Sequence, residues 1–339
     1  MRRLLLLAAL LGAASCYLWY HDTELPQGAS GEPPVVLDVP PGTSADGIGR
    51  ELHRLGLVRH PLLFRSYVWR RGSAGRLRAG RYTIEGGKSL RDVVERLERG
   101  EADRHELTFP EGHSIDEMTL MVAAGGLKPA EFRAAAADPE PIHDLDKDAK
   151  DLEGYLFPDT YDVRQDEGAA KALVLRMVHR FKTTLRPELP RVEKSGLRLR
   201  EIVTLASLVE LETARAEERP RVAAVFLNRL RKGMPLQTDP TVIYALRKAG
   251  PYDGNIRKKD LDIDSPYNTY RYAGLPPGPI ASPGRAAILA VLEPLPVKDL
   301  YFVSRNDGTH EFNESLQRHE QAVNRYQRYR QRLTPPSRP

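Results

Sequence analysis

The stretch REIVTLASLVELET, residues 200–213, decides the fold of the larger part of the chain. It reads as a mostly apolar helix. Further helices are predicted after it. AEERP (216–220) interrupts the helix, and Pro220 suits the first position of a second one. That helix is predicted to continue through Arg221 to Lys232, with Val222, Val225, Phe226 and Leu230 on one face and Gly233 closing it. Thr238-Asp239-Pro240 opens a third helix before VIYALRK (242–248), and Ser282-Pro283 a fourth before AAILAVLE (286–293). LYFVS (300–304), Asn306-Asp307-Gly308 and THEFN (309–313) read as a hairpin. Residues 199–325 are therefore expected to form a mainly helical domain with a β-hairpin.

Upstream, one pattern occurs three times: Val39-Pro-Pro-Gly42-Thr-Ser44, Ile84-Glu-Gly-Gly87-Lys-Ser89 and Phe109-Pro-Glu-Gly112-His-Ser114. An apolar residue stands three before a Gly, and a Ser two after it. This predicts a strand end, a Gly turn and a Ser N-cap opening an amphipathic helix. After Ser89, the positions Leu90, Val93, Val94 and Leu97 have helical spacing, with Gly100 as a stop. Residues 35–124 are assigned to a small β-α module. Residues 125–198 are assigned to a loop-rich connector, with YLFPDTY (155–161) as its apolar node and a helix from about Gly168 to Thr183. The fold class is α+β.

The N-terminus adds a membrane element. Arg2 and Arg3 precede the uncharged run LLLLAALLGAASCYLWY, Leu4 to Tyr20, which ends in an aromatic belt. Residues 1–21 are expected to be a single-pass anchor with a cytoplasmic N-terminus. A cleaved signal peptide and lipidation at Cys16 are the competing readings. Each sends the rest of the chain across the membrane. Residues 22–34 are a polar Gly/Pro-rich linker, and residues 326–339 a basic tail.

Composition narrows the function. Of 339 residues, 41% are apolar and 29% charged, which excludes wholesale disorder. The 51 basic and 46 acidic residues leave a net charge of only +5, and no Lys/Arg block is dense and aromatic-studded, so no nucleic-acid partner is expected. The single cysteine, Cys16, excludes a disulfide framework and a Cys-based zinc site. His-Glu pairs at 105–106, 310–311 and 319–320 lack the second His of a zincin motif, so no metal or cofactor is expected.

Four features place polar residues in apolar settings. Glu210 and Glu212 sit on the first helix about 200° apart, so they do not share a face. A desolvated Glu has the raised pKa that a general acid needs near neutral pH, and the spacing alone leaves both as candidates, with pairing to Arg221 or Arg229 as the alternative. Asn228 is an amide on an otherwise apolar helix. Gln237, Thr238, Asp239 and Thr241 cluster around a helix start, more polar groups than a cap requires. SPYNTYRYAGLPPGPIASPG (265–284) holds three tyrosines within six residues, suited to stacking on sugar rings.

Taken together, LASLVELET, ERPRVAAVFLNRLRKGMPLQTDPTVIYAL (218–246), the tyrosine loop and FVSRNDGTHEFNESLQRH (302–319) resemble the endolytic murein transglycosylases, the MltG/YceG-like family. The resemblance implies a single-pass enzyme of the bacterial inner membrane, with its catalytic domain outside the cytoplasm. It implies cleavage within nascent peptidoglycan glycan strands, with the synthases as candidate partners and strand termination as the role. Residues 35–101 further resemble a LysM module. In the family's E-x-E-T motif the second Glu is catalytic, which falls on Glu212. Leu211 departs from relatives that carry Lys there. Asn228, Gln237, Asp239, Tyr267, Asn268 and Tyr270 are the candidates for binding sugar. A hydrolytic muramidase and a non-catalytic wall-binding scaffold are the alternatives.

Overall fold

The computed structural model describes residues 13, 17, 19–21, 23–24, 33–40, 42–100, 105–163 and 168–328. The anchor, its lipidation alternative at Cys16, the linker and the tail therefore fall largely or wholly outside the described residues. Among those described, no helix is long and apolar enough to cross a membrane. The chain forms two compact units, one of residues 1–106 and 162–169, the other of 107–161 and 170–339. The division at 106/107 runs through the 35–124 segment, so the third copy of the repeated pattern sits in the second unit.

In the first unit, β1 (Val35–Val39) and β2 (Gly80–Ile84) pair antiparallel, Leu37 opposite Tyr82. Between them run α1 (Ala45–Arg54) and α2 (Pro61–Arg71), and α3 (Leu90–Arg99) follows β2. The repeated pattern behaves as its chemistry dictates. Ser44 and Ser89 accept from helical N–H groups, and Gly42 and Gly87 take positive φ. Leu37, Ile48, Leu52, Phe64, Tyr82, Val94 and Leu97 form the core. Helix α2 fills a stretch for which no element was predicted.

The boundaries at 106/107 and 161/162 fall within two paired strands, β3 (His105–Thr108) and β4 (Thr160–Val163), and the second unit continues with α4 (Ile115–Ala124), capped by Ser114 and Glu117 in a reciprocal box. The expected connector is largely ordered structure: α5 (Pro129–Ala136), α6 (Ala169–Leu185) and α7 (Leu189–Ser195). YLFPDTY is its buried node, with Tyr155 and Leu156 fully enclosed. At Gly154, φ is +85°, and a Cβ there would meet Pro279 at 2.5 Å and Val203 at 2.9 Å. That close approach seats the 265–284 loop on the central helix.

The central helix is α8 (Leu199–Glu212), buried on all sides from Ile202 to Val209. Helices α9 (Arg219–Arg231), α10 (Asp239–Ala249) and α11 (Arg285–Leu292) pack on it. The hairpin is β5 (Tyr301–Ser304) with β6 (His310–Asn313), turning through Asn306 and Gly308 at positive φ. It is followed by α12 (Leu316–Val323). One start differs from expectation: Gly284, not Ser282, precedes α11, because the Gly284 N–H donates to the Glu210 carboxylate at 2.9 Å. An anion at a helix N-terminus replaces the serine cap.

Candidate active site

Helix α8 ends at Glu212, with the extended Thr213 after it. Glu212 is half-buried and lines a cleft of about 480 Å³. Arg229 of α9, Leu236, Gln237 and Asp239 before and at the start of α10, Tyr270 of the tyrosine loop, and Phe302, Ser304 and His310 of the hairpin complete most of the lining. Four separate segments thus converge on one carboxyl group.

Burial pushes the Glu212 pKa up to about 7. The hydroxyl of Thr238 opposes this by donating to its Oε1, the charge of Asp239 adds to it, and the neighbouring His310 and Arg229 pull it back. The side chain therefore exists in both protonation states near neutrality, as a group that first gives and then takes a proton must.

The lining is held from behind. Gln237 adopts φ 52°, a left-handed conformation uncommon outside glycine, and its N–H donates to Thr269 O at 3.1 Å. Thr238 N donates to Thr269 Oγ1 at 3.1 Å, and the hydroxyls of Thr241 and Thr269 lie 2.9 Å apart. This threonine cluster ties the start of α10 to the tyrosine loop. The Tyr270 hydroxyl donates to Asp239 Oδ1 at 2.5 Å. Arg229 is buried and donates to the carbonyls of Leu236 (2.8 Å), Pro235 (3.1 Å) and Leu300 (2.7 Å). Burial lowers its pKa, while Tyr301, Tyr270 and Glu212 favour its charge.

Glu210 faces elsewhere, as the angular argument requires. It is buried against Arg219 (2.6 Å) and the Gly284 N–H, with Glu111 near the same guanidinium at 3.5 Å. Neither Arg221, paired with Asp299, nor Arg229 is its partner. Leu211 between the two acids is exposed, against Gly112.

Of the six residues read as sugar-binding, Gln237, Asp239 and Tyr270 share the cleft with Glu212 and the other three do not. Both amide hydrogens of Asn228 go to the carbonyls of Val297 and Asp299, each at 2.9 Å. Asn268 is fully buried. It donates to Leu261 O (2.8 Å) and Ile263 O (2.9 Å) and accepts from the Tyr270 N–H, so it builds the loop. Tyr267 packs on Tyr244 with ring centroids 4.8 Å apart. Arg229 and His310 were missed as lining residues. The alternation of THEFN, which puts His310 and Phe312 on one face of a strand, was the available signal. Among the described residues, no group of three or more His, Cys, Asp or Glu has the spacing to hold a metal.

Comparison with known proteins shows the family of the chain. Residues 37–325 match the model of the YceG-like family. The chain belongs to that family. A curated Bacillus subtilis protein named endolytic murein transglycosylase is 32% identical over 308 residues, covering 86% of this chain and 84% of its own. A Streptococcus pneumoniae protein of the same name is 33% identical over 88% of this chain, which spans 60% of that longer relative. The crystal structure of a YceG-like protein from Listeria monocytogenes superposes with a TM-score of 0.59 at 30% identity, covering 86% of this YceG-like chain and 99% of that one.

Proposed function

We propose that this chain is a lytic transglycosylase that cleaves peptidoglycan glycan strands internally, with Glu212 as acid and then base. Protonated Glu212 gives its proton to the oxygen joining MurNAc C1 to the next GlcNAc, and the C1–O bond breaks. The C6 hydroxyl of the same MurNAc attacks C1 and passes its proton to the Glu212 carboxylate. The product carries a 1,6-anhydro end, and no water is consumed. The attack is intramolecular, and such reactions reach effective molarities of about 10⁵–10⁸ M, so one carboxyl suffices where ordinary glycosidases use two. Tyr270, Gln237 and Asp239 are the sugar-facing groups of the cleft.

The observation that carries this reading is a half-buried carboxyl, poised near pH 7, in a cleft that Tyr270 of the tyrosine loop lines. Names of relatives support the substrate class. Membrane anchorage through residues 1–21, glycan binding by the β-α module, a LysM-like role for it, and strand termination beside the synthases belong to the same proposal. Its support is the apolar run behind Arg2 and Arg3 and the capped Gly-Ser turns. Digestion of purified glycan strands by the full chain, beside Glu212→Gln, tests it. The parent should release products one water lighter than hydrolysis gives, and the variant none. Unaltered cleavage by the variant rejects the assignment.

A hydrolytic muramidase is the second reading, because Asp239 lines the same cleft and could serve as base to a water. Its products would carry the added water, which mass spectrometry distinguishes.

A further inference from the structure

The cleft contains an imidazole that the proposed chemistry leaves without a task. His310 opens β6, and its backbone N–H donates to Glu218 Oε1 at 2.9 Å. Its Nδ1 lies 2.7 Å from Glu218 Oε2. Glu218 in turn accepts from the Thr213 hydroxyl at 3.2 Å, one residue past Glu212. The ring is therefore fixed from behind by a carboxylate that also clasps the end of α8. Phe302 stacks against the imidazole in a T-shaped arrangement, with centroids 5.5 Å apart.

We infer that His310 is a further substrate-contacting residue, oriented by Glu218 so that Nε2 hydrogen-bonds a sugar hydroxyl beside the scissile linkage. The inference rests on the glycan-cleaving reading of the cleft. Its geometry is specific. His310 lines the same cleft as Glu212, and among the described residues its Nε2 has no protein partner. Burial acts to raise the Glu218 pKa, but the hydrogen bonds from His310 outweigh it and hold the carboxyl below its ordinary value. An ionised Glu218 only accepts, so Nδ1 carries the hydrogen, and in the neutral ring Nε2 is a bare acceptor. A sugar hydroxyl is the matching donor. Glu218 is then a positioning residue, since it acts through the ring and touches no substrate.

The test uses the full chain and purified glycan strands. In an uncleaving Glu212→Gln background, adding His310→Gln should weaken glycan binding by about tenfold, the value of one hydrogen bond from a fixed partner. In the active chain, His310→Gln should lower kcat/KM by about 10–100-fold. Glu218→Gln keeps the shape but presents an amide N–H to Nδ1, which turns Nε2 into a donor. It should lower kcat/KM comparably, and ¹⁵N NMR of the ring should show the reversed tautomer. Parent-like cleavage and binding by folded His310→Gln overturns the inference, as does a reversed tautomer with full activity. Should His310→Gln not fold, the Glu218→Gln tautomer and activity decide alone. If Glu212→Gln is inactive while His310→Gln cleaves normally, only this inference fails. If Glu212→Gln cleaves normally, the reading of the cleft fails with it.

Discussion

The hydroxyl of Thr238 donates to Oε1 of Glu212, although Thr238 is the residue from which α10 starts and its side chain caps no N–H of that helix. A residue type selected by helix termini is diverted to a carboxyl on another helix. The diversion stabilises the ionised form of Glu212 against burial, which acts the other way. Thr238→Val keeps the shape and removes the donor. The Glu212 pKa should rise, so the alkaline limb of the kcat/KM profile should move to higher pH while the maximum rate falls by about 3–30-fold. A profile that coincides with the parent's shows that the hydroxyl does not act on the acid.

Glu212 itself sets a pH dependence in two observables. In the proposed reaction the first step needs the protonated acid, so kcat/KM should decline about tenfold per pH unit above a pKa near 7. Stability follows the same group. Its folded pKa is raised above 4.5, so the stabilisation it gives is complete below that value and is lost as pH rises through about 7. Glu212→Gln should abolish cleavage and flatten the fall in Tm between pH 5 and pH 9. Calorimetry across that range measures it. A variant with the parent's Tm slope contradicts the desolvated carboxyl.

Glu210 and Arg219 form the buried pair beside the site, and Glu210 also takes the N–H that starts α11. Burial and the charge of Glu111 raise the Glu210 pKa, against the Gly284 N–H and Arg219. Arg219→Met leaves an uncompensated buried carboxylate, which costs about 3–5 kcal/mol where the acid is ionised. The loss should be larger at pH 8 than at pH 5, because protonation of Glu210 relieves it. Glu210→Gln keeps an acceptor for Gly284 and should retain measurable cleavage. Denaturant unfolding at the two pH values checks the first expectation. An equal loss at both would mean that packing, not charge, holds Arg219.

The helices, their Gly and Pro boundaries and the hairpin were legible because each rests on local chemistry: a mostly apolar run for α8, Pro220 for α9, Asn306 to Gly308 for the turn. The separation of Glu210 from Glu212 was legible from the helical angle alone. What escaped was long-range. Asn228 and Asn268 look like sugar-binding amides, because a sequence does not show which carbonyls will come within reach. Their hydrogens are spent on Val297, Asp299, Leu261 and Ile263. Asn268→Ala should therefore cost about 1–3 kcal/mol per stranded carbonyl and lower Tm, with KM per folded molecule changed through Tyr270 only. Such a variant with native Tm and a selectively raised KM would restore Asn268 as a sugar ligand.

Glu153 was equally invisible, since nothing in EGYLFPDTY says that its first residue is enclosed. It is almost fully buried. It accepts the Ile115 N–H at 3.0 Å, at the start of α4, and the Tyr244 hydroxyl at 3.2 Å. Burial raises its pKa to about 8, with Asp151 adding and the Ile115 N–H, Lys248 and Tyr244 opposing. The folded protein thus holds a proton there that the unfolded chain releases near 4.5. Stability from this group is complete below that pH and is lost as pH rises through about 8. Glu153→Gln accepts the same N–H without a charge to desolvate. Its Tm should stay near the parent's at pH 5 and exceed it by several degrees at pH 9, at about 2–4 °C per kcal/mol for a unit of this size. Cleavage at pH 6 should be unchanged, since Glu153 lies outside the cleft lining. A Tm lower than the parent's at every pH would mean that Glu153 is ionised and paired in the folded chain.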